Sequence, residues 1–116
     1  MKETLTQTYP YKCELHSHSY PVSLCSEISP KEMAKLFIDN GYSAIVLTNH
    51  FYLEYRNKFK SDAEYAEFYY NAYAELLDAA EDNLKVYLGM EIRFENEAIN
   101  DYLVYGIDKS DLEKAC

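Results

Sequence analysis

Basic residues are scarce. Lysine and arginine together number 11 against 20 aspartates and glutamates, a formal charge of −9 at pH 7. That balance argues against long nucleic acid as a partner, because affinity for a phosphate backbone rests on Lys and Arg. It still allows a small phosphorylated substrate held through bound cations, which would bring the positive charge themselves. Glycine and proline are sparse as well, with three of each. Together with 48% hydrophobic and 27% charged residues, this excludes a disordered chain and is enough for a packed core. The three cysteines, Cys13, Cys25 and Cys116, are odd in number and have no CxxC spacing. They read as reduced thiols rather than a disulfide framework. Cys13 is expected in the core and Cys25 in a loop close to the histidines. No apolar run approaches membrane-spanning length, and Met1-Lys2-Glu3-Thr4 leads into polar residues. No membrane association and a cytoplasmic location are therefore expected. Neither a GxSxG nor a Walker-type GKS or GKT occurs.

What is present alternates. At 116 residues the chain is at most one domain, 1–116, with residues 1–10 expected as a loose lead-in. A strand is expected from about Tyr11 to His16, followed by a loop of small polar groups over 19–28. Ser29-Pro30-Lys31-Glu32 is a capping box with proline at the first helical position, and Asn40-Gly41 closes that helix. A second strand, Ser43 to Thr48, is apolar at consecutive positions, as in a parallel strand covered on both faces. The stretch Asn49 to Lys60 has no clear period. Ser61 or Asp62 then caps a long helix reaching about Asn83, with Tyr65, Tyr69, Ala72, Tyr73, Leu76 and Ala80 at helical spacing. The 13 tyrosines, with Tyr65, Tyr69, Tyr70 and Tyr73 clustered in this helix, read as packing residues. Further strands are expected at Lys85 to Ile92 and Asp101 to Tyr105. Ser110-Asp111-Leu112-Glu113 reads as a second capping box with no helix behind it. The pattern βαβαββ calls for an α/β fold with about four mostly parallel strands and two long helices. Four strands cannot close a parallel barrel, so the expectation is an open sheet or the first portion of something larger.

The chemistry collects at one edge of that sheet. The chain has only three histidines, and two of them stand in Glu14-Leu15-His16-Ser17-His18. In an extended strand Glu14, His16 and His18 would share a face. Asn49 and His50 follow the second strand, and Glu91 lies near the end of the third. In α/β folds sites are built at the carboxyl ends of the strands. Imidazoles and carboxylates are a hard-to-borderline ligand set suited to zinc, manganese or iron. His16, His18, His50 and Glu91 are thus candidate metal ligands. Glu14 is a candidate for orienting an imidazole by accepting its other N–H.

These residues carry a resemblance. Glu14-Leu15-His16-Ser17-His18-Ser19 resembles the acid-Leu-His-x-His-Thr/Ser opening of the polymerase and histidinol phosphatase (PHP) superfamily. Thr48-Asn49-His50 resembles its Thr-Asp-His motif and Gly89-Met90-Glu91 its Gly-x-Glu motif. The resemblance implies the N-terminal portion of a distorted (β/α)7 TIM-like barrel and a centre of two or three divalent metal ions (Mn, Zn or Fe). It implies metal-dependent phosphoesterase activity on a substrate such as histidinol phosphate or a small nucleotide. It also implies His16 and His18 on one metal, Glu91 bridging two, and His50 at a third position. Asn49 departs from the family's Asp, which implies retuning in a supporting position. Ser23, Leu24 and Cys25 stand where some members carry another histidine, and the family's later ligands are absent from the 116 residues. The chain is therefore expected to be about half of a PHP domain. The alternatives are a non-catalytic binding module that self-associates through an open sheet edge, and a thiol enzyme using Cys25.

Overall fold

The computed structural model describes residues 10–94 and 100–116, so the lead-in expected over 1–10 lies, except for the exposed Pro10, outside the described residues. In chain order the elements are β1 (Cys13–Ser17), α1 (Pro30–Asp39), β2 (Ala44–Leu47), β3 (His50–Tyr52), α2 (Leu53–Arg56), α3 (Asp62–Ala80), β4 (Lys85–Arg93), β5 (Asp101–Tyr105) and α4 (Lys109–Ala115).

Capping chemistry sets the helix starts. Ser29 Oγ accepts the Glu32 N–H at 3.2 Å while Glu32 Oε2 accepts the Ser29 N–H at 3.3 Å, the reciprocal pair the sequence predicts. Helix α1 buries Met33 and Ala34 and ends at Asn40, followed by Gly41 at φ +76°. Ser61 caps α3, which buries Tyr65, Tyr69, Ala72, Leu76 and Ala80 and stops at Ala80, short of Asn83. The last cap differs from the sequence-based expectation. Asp108, not Ser110, receives the Ser110 and Asp111 N–H groups, and Asp111 Oδ2 accepts the Asp108 N–H at 2.9 Å. Asp-x-x-Asp fills both halves of the capping box, so a helix does follow, and Leu112 anchors it in the core.

The sheet is α/β and mostly parallel. β1 pairs with β2, and β2 and β3 each pair with β4, all in parallel; β5 adds antiparallel to β4. The extra strand β3 lies in the stretch without sequence period. It is only three residues long, too short to show one, and it exists because its backbone continues the β2 row alongside β4. Five strands are present among the described residues and the sheet is not closed.

One face of the sheet is covered by helices. Ile45, Leu47, Val86, Leu88, Met90 and Ile92 meet Met33, Tyr65, Tyr69 and Leu76 there in one core. The alternate positions face the other way. That open side carries Leu15, Tyr87 and Tyr105, all exposed, and also Cys13, which is exposed rather than in the core as expected. In-register partners project to the same face, and Cys13 pairs with Ala44, on the face that also holds Val46 and Tyr87. The Tyr105 hydroxyl donates to the Leu15 carbonyl at 2.8 Å, joining the two outer strands across the open face. The sheet is therefore strongly curled. No helix among the described residues is long and apolar enough to cross a membrane.

Candidate metal centre

A register irregularity in β1 aims the first histidine. Glu14 pairs with Ile45 but Ser17 with Leu47, three steps along β1 against two along β2. Such a bulge places one additional residue on the strand and turns the residues beyond it. Glu14 and Ser17 thus take the helix-covered side, and His16 takes the open side. This corrects the expectation that Glu14 shares a face with His16. Glu14 Oε1 accepts the backbone N–H of His16 at 3.2 Å and touches neither imidazole. It braces the bulge and orients no ring.

The Thr48-Asn49-His50 triplet divides the work of holding the site. Thr48 Oγ1 accepts the Ser17 N–H at 3.0 Å, the Thr48 N–H reaches the Ser17 carbonyl at 2.9 Å, and Ser17 Oγ donates to the Val46 carbonyl at 2.7 Å. These bonds fix the peptide between His16 and His18. Asn49 is fully buried: its Oδ1 accepts the Ser19 N–H at 2.6 Å and the Ser23 hydroxyl at 2.8 Å, and its Nδ2 donates to Ser19 Oγ at 3.0 Å. A neutral amide supplies both the donor and the acceptor that this loop needs. Ser23 Oγ in turn accepts the His50 N–H at 2.9 Å. Asn49 therefore lies outside the cluster and shapes the loop that borders it.

β3 and β4 bring the remaining pair together. His50 and Glu91 are register partners, and the Glu91 N–H reaches the Asn49 carbonyl at 2.9 Å. From the helix side the fully buried Tyr69 hydroxyl shares its hydrogen between the Asn49 carbonyl at 2.7 Å and the Gly89 carbonyl at 2.9 Å. Burial raises the Tyr69 pKa well above its ordinary value, so this group stays a neutral donor. Gly89 is small for a packing reason: a Cβ there would lie 2.6 Å from the Val104 carbonyl oxygen.

Four of the side chains singled out in the sequence converge. Glu91 Oε2 lies 3.0 Å from His18 Nε2 and 2.9 Å from His50 Nδ1, and Oε1 lies 3.4 Å from His16 Nε2. The His16 and His18 Nε2 atoms are 3.2 Å apart. Burial pushes both His18 and His50 below the ordinary imidazole value, His50 reinforcing the effect on His18, while Glu91 pulls both back. Both rings are therefore largely neutral near pH 7 and offer lone pairs.

The cluster fits a cation. Glu91 Oε2 and His50 Nδ1 are buried and make no hydrogen bond of acceptable geometry, although they are only 2.9 Å apart. Unsatisfied buried polar atoms are rare and need a partner. Nitrogen and oxygen ligands at zinc-like bond lengths stand about 3.3 Å from one another in a tetrahedral site. The separations of 3.0 to 3.4 Å match that spacing. His16, His18 and Glu91 form one group able to hold a metal ion; His18, Cys25 and His50 form a second; His50, Glu91 and Asp101 form a third.

The sequence carries no signal for several of these parts. Tyr69 looks like any other helical tyrosine. Asp101 has the look of a strand residue only, yet Arg93 Nε donates to its Oδ1 at 2.7 Å and the Tyr52 hydroxyl to its Oδ2 at 3.0 Å, beside His50. Burial and that bond to Asp101 raise the Tyr52 pKa. No curated protein and no solved structure matches the chain. The PHP domain family model matches residues 14–113, from the acid ahead of the His-x-His to the final helix, and this protein therefore belongs to the PHP domain family.

Proposed function

We propose that this chain forms part of a PHP-type, metal-dependent phosphoesterase, with His16, His18, His50 and Glu91 as metal ligands and a small phosphorylated molecule as substrate. The observation that carries the reading is the convergence of three imidazoles on one buried carboxylate whose Oε2 has no hydrogen-bond partner. Divalent ions, when bound, would supply charge to neutralise a phosphoester and acidity to activate water. The chain's own residues hold the site in shape. Thr48 and Ser17 fix the first histidine pair, Asn49 and Ser23 fix the bordering loop, and Tyr69 ties the β2–β3 junction to β4. Mostly parallel strands and the Tyr105–Leu15 bond across the open face support a place for these strands in the family's (β/α)7 barrel. The acidic balance favours a small substrate over a long nucleic acid.

The test is hydrolysis of p-nitrophenyl phosphate by the chelated protein, assayed before and after adding manganese, zinc or iron(II). Turnover that requires the metal and is lost in Glu91→Gln supports the reading. Bound metal with no turnover on any phosphomonoester contradicts the enzymatic half of it.

A second reading, a binding module that self-associates, has one observation in its favour: Leu15, Tyr87 and Tyr105 are exposed together on the open face. Concentration-dependent sedimentation tests it, with a monomer at every concentration as the contrary result.

A further inference from the structure

The His18 and His50 rings stand side by side with centroids 4.2 Å apart, and each has a nitrogen at both ends of the cluster. At one end both meet Glu91. At the other both meet a sulfur: Cys25 Sγ lies 3.2 Å from His18 Nδ1 and 3.5 Å from His50 Nε2. The site therefore has a carboxylate pole and a thiol pole, with two imidazoles between them. A neutral imidazole has one lone pair, so each ring serves one pole at a time. His18, with His16 and Glu91, serves the carboxylate pole through Nε2. Its Nδ1–H is then free to donate to Cys25 Sγ. That leaves His50 Nε2 and Cys25 Sγ facing each other.

We infer that Cys25 is a metal ligand, pairing with His50 Nε2 to make a second, softer cation position distinct from the one at Glu91. The inference rests on the metal-binding reading proposed above. Ligand spacing supports it: with zinc-like bonds to sulfur and nitrogen, the two ligand atoms stand about 3.5 Å apart, and the separation is 3.5 Å. Accessibility supports it as well, since Cys25 is exposed and lines the same surface depression as His16 and His18. A sulfur ligand also changes which ion is favoured. Thiolate suits zinc and other borderline or soft cations and disfavours manganese, whereas the Glu91 pole accepts either. The two poles would then differ in metal preference, with zinc retained at Cys25 when manganese fills the other.

Cobalt(II) tests this directly, because a cobalt–thiolate bond gives an intense near-ultraviolet charge-transfer band that oxygen and nitrogen ligands do not. The full chain is chelated, titrated with cobalt(II) and followed by absorption, with bound cobalt measured separately. The expected result is a charge-transfer band that disappears in Cys25→Ser and persists in Cys13→Ser and Cys116→Ser. Zinc affinity of Cys25→Ser should fall by at least about 10-fold, with its circular dichroism unchanged because the residue is exposed. Bound cobalt without the band would overturn the inference while leaving the metal-binding reading intact, with Cys25 reduced to a hydrogen-bond acceptor for His18. No bound cobalt at all would overturn both. If Cys25→Ser fails to fold, the rate of Cys25 alkylation with and without zinc replaces it; protection by zinc is expected, and equal rates contradict the inference.

Discussion

The two faces of the sheet are built on opposite terms. On the helix-covered face Ile45, Leu47, Leu88 and Met90 pack against Tyr65, Tyr69 and Leu76, and the Tyr69 hydroxyl finds two carbonyls. On the open face, at the carboxyl ends of the strands, His50 Nδ1 and Glu91 Oε2 are buried without hydrogen bonds and three imidazoles crowd one carboxylate. The first face is apolar packing, in which the buried Tyr65 hydroxyl alone lacks a hydrogen-bond partner among the described residues. The second gathers buried donor and acceptor atoms that a cation could satisfy. Stability and chemistry are thus written on alternate residues of the same strands, and β4 shows it most plainly: Leu88, Met90 and Ile92 serve the core while Glu91 serves the site.

A truncation in the covered face should cost the most stability. Leu76→Ala, at a position with no exposure, should lower the unfolding free energy by about 2–5 kcal/mol. Chemical denaturation measures the loss, and the folded fraction should still bind metal with wild-type stoichiometry. Gly89→Ala couples the faces. The new methyl would meet the Val104 carbonyl oxygen two residues before Glu91, so stability should fall by about 1–3 kcal/mol. Metal affinity, read by calorimetry, should weaken with it as β4 and β5 separate. A glycine replacement that changed stability but left affinity untouched would show the faces to be independent at this point.

Tyr69→Phe separates packing from hydrogen bonding. It keeps the ring in the core and removes only the hydroxyl that links Asn49 to Gly89. A loss of about 1 kcal/mol is expected, together with faster amide exchange at Glu91, whose N–H bonds the Asn49 carbonyl. The smallest effect lies at the rim. Arg93 holds the Asp101 carboxyl below its ordinary value of 3.8, with the Tyr52 hydroxyl assisting. A carboxyl depressed on folding contributes stability in full above its unfolded value and loses it as pH falls through the folded one. In the chelated protein, Arg93→Leu should therefore lower stability only slightly near neutrality, as loss of an exposed ion pair does. The gap to wild type should narrow below the ordinary carboxyl range. Denaturation curves over that pH range check the sign, and a gap that widened on acidification would contradict it.

The same division decides how much of the fold and site is legible in the sequence. The covered face is readable because helix periodicity and apolar strands are local signals, and α1 and α3 begin at the caps that Ser29 and Ser61 announce. The convergence of His16, His18, His50 and Glu91 is readable because the sequence pattern puts each at or near the carboxyl end of an expected strand, and parallel strands bring those ends together. The bulge in β1 is not readable. It depends on how Ser17 pairs with Leu47 across the sheet, and it separates Glu14 from His16 in spite of their period-2 spacing. Strand β3 is hidden because three residues cannot show a period, and Tyr69 because its hydroxyl partners lie 20 positions away in either direction. The cap of α4 is misplaced because Asp108 and Ser110 both head plausible motifs, and only the backbone geometry chooses between them.

The histidine–carboxylate cluster of the open face is the proposed metal centre. The most direct measurement is bound-metal content of the chelated and reconstituted protein, taken with the metal-induced rise in unfolding free energy, for wild type and for His16→Ala combined with His18→Ala. Linkage predicts a rise of about 2.7 kcal/mol in wild type at a free metal concentration about 100 times the dissociation constant. The double variant should keep its fold and show neither the bound metal nor the rise. Equal metal content and equal stabilisation in the two proteins would contradict the account.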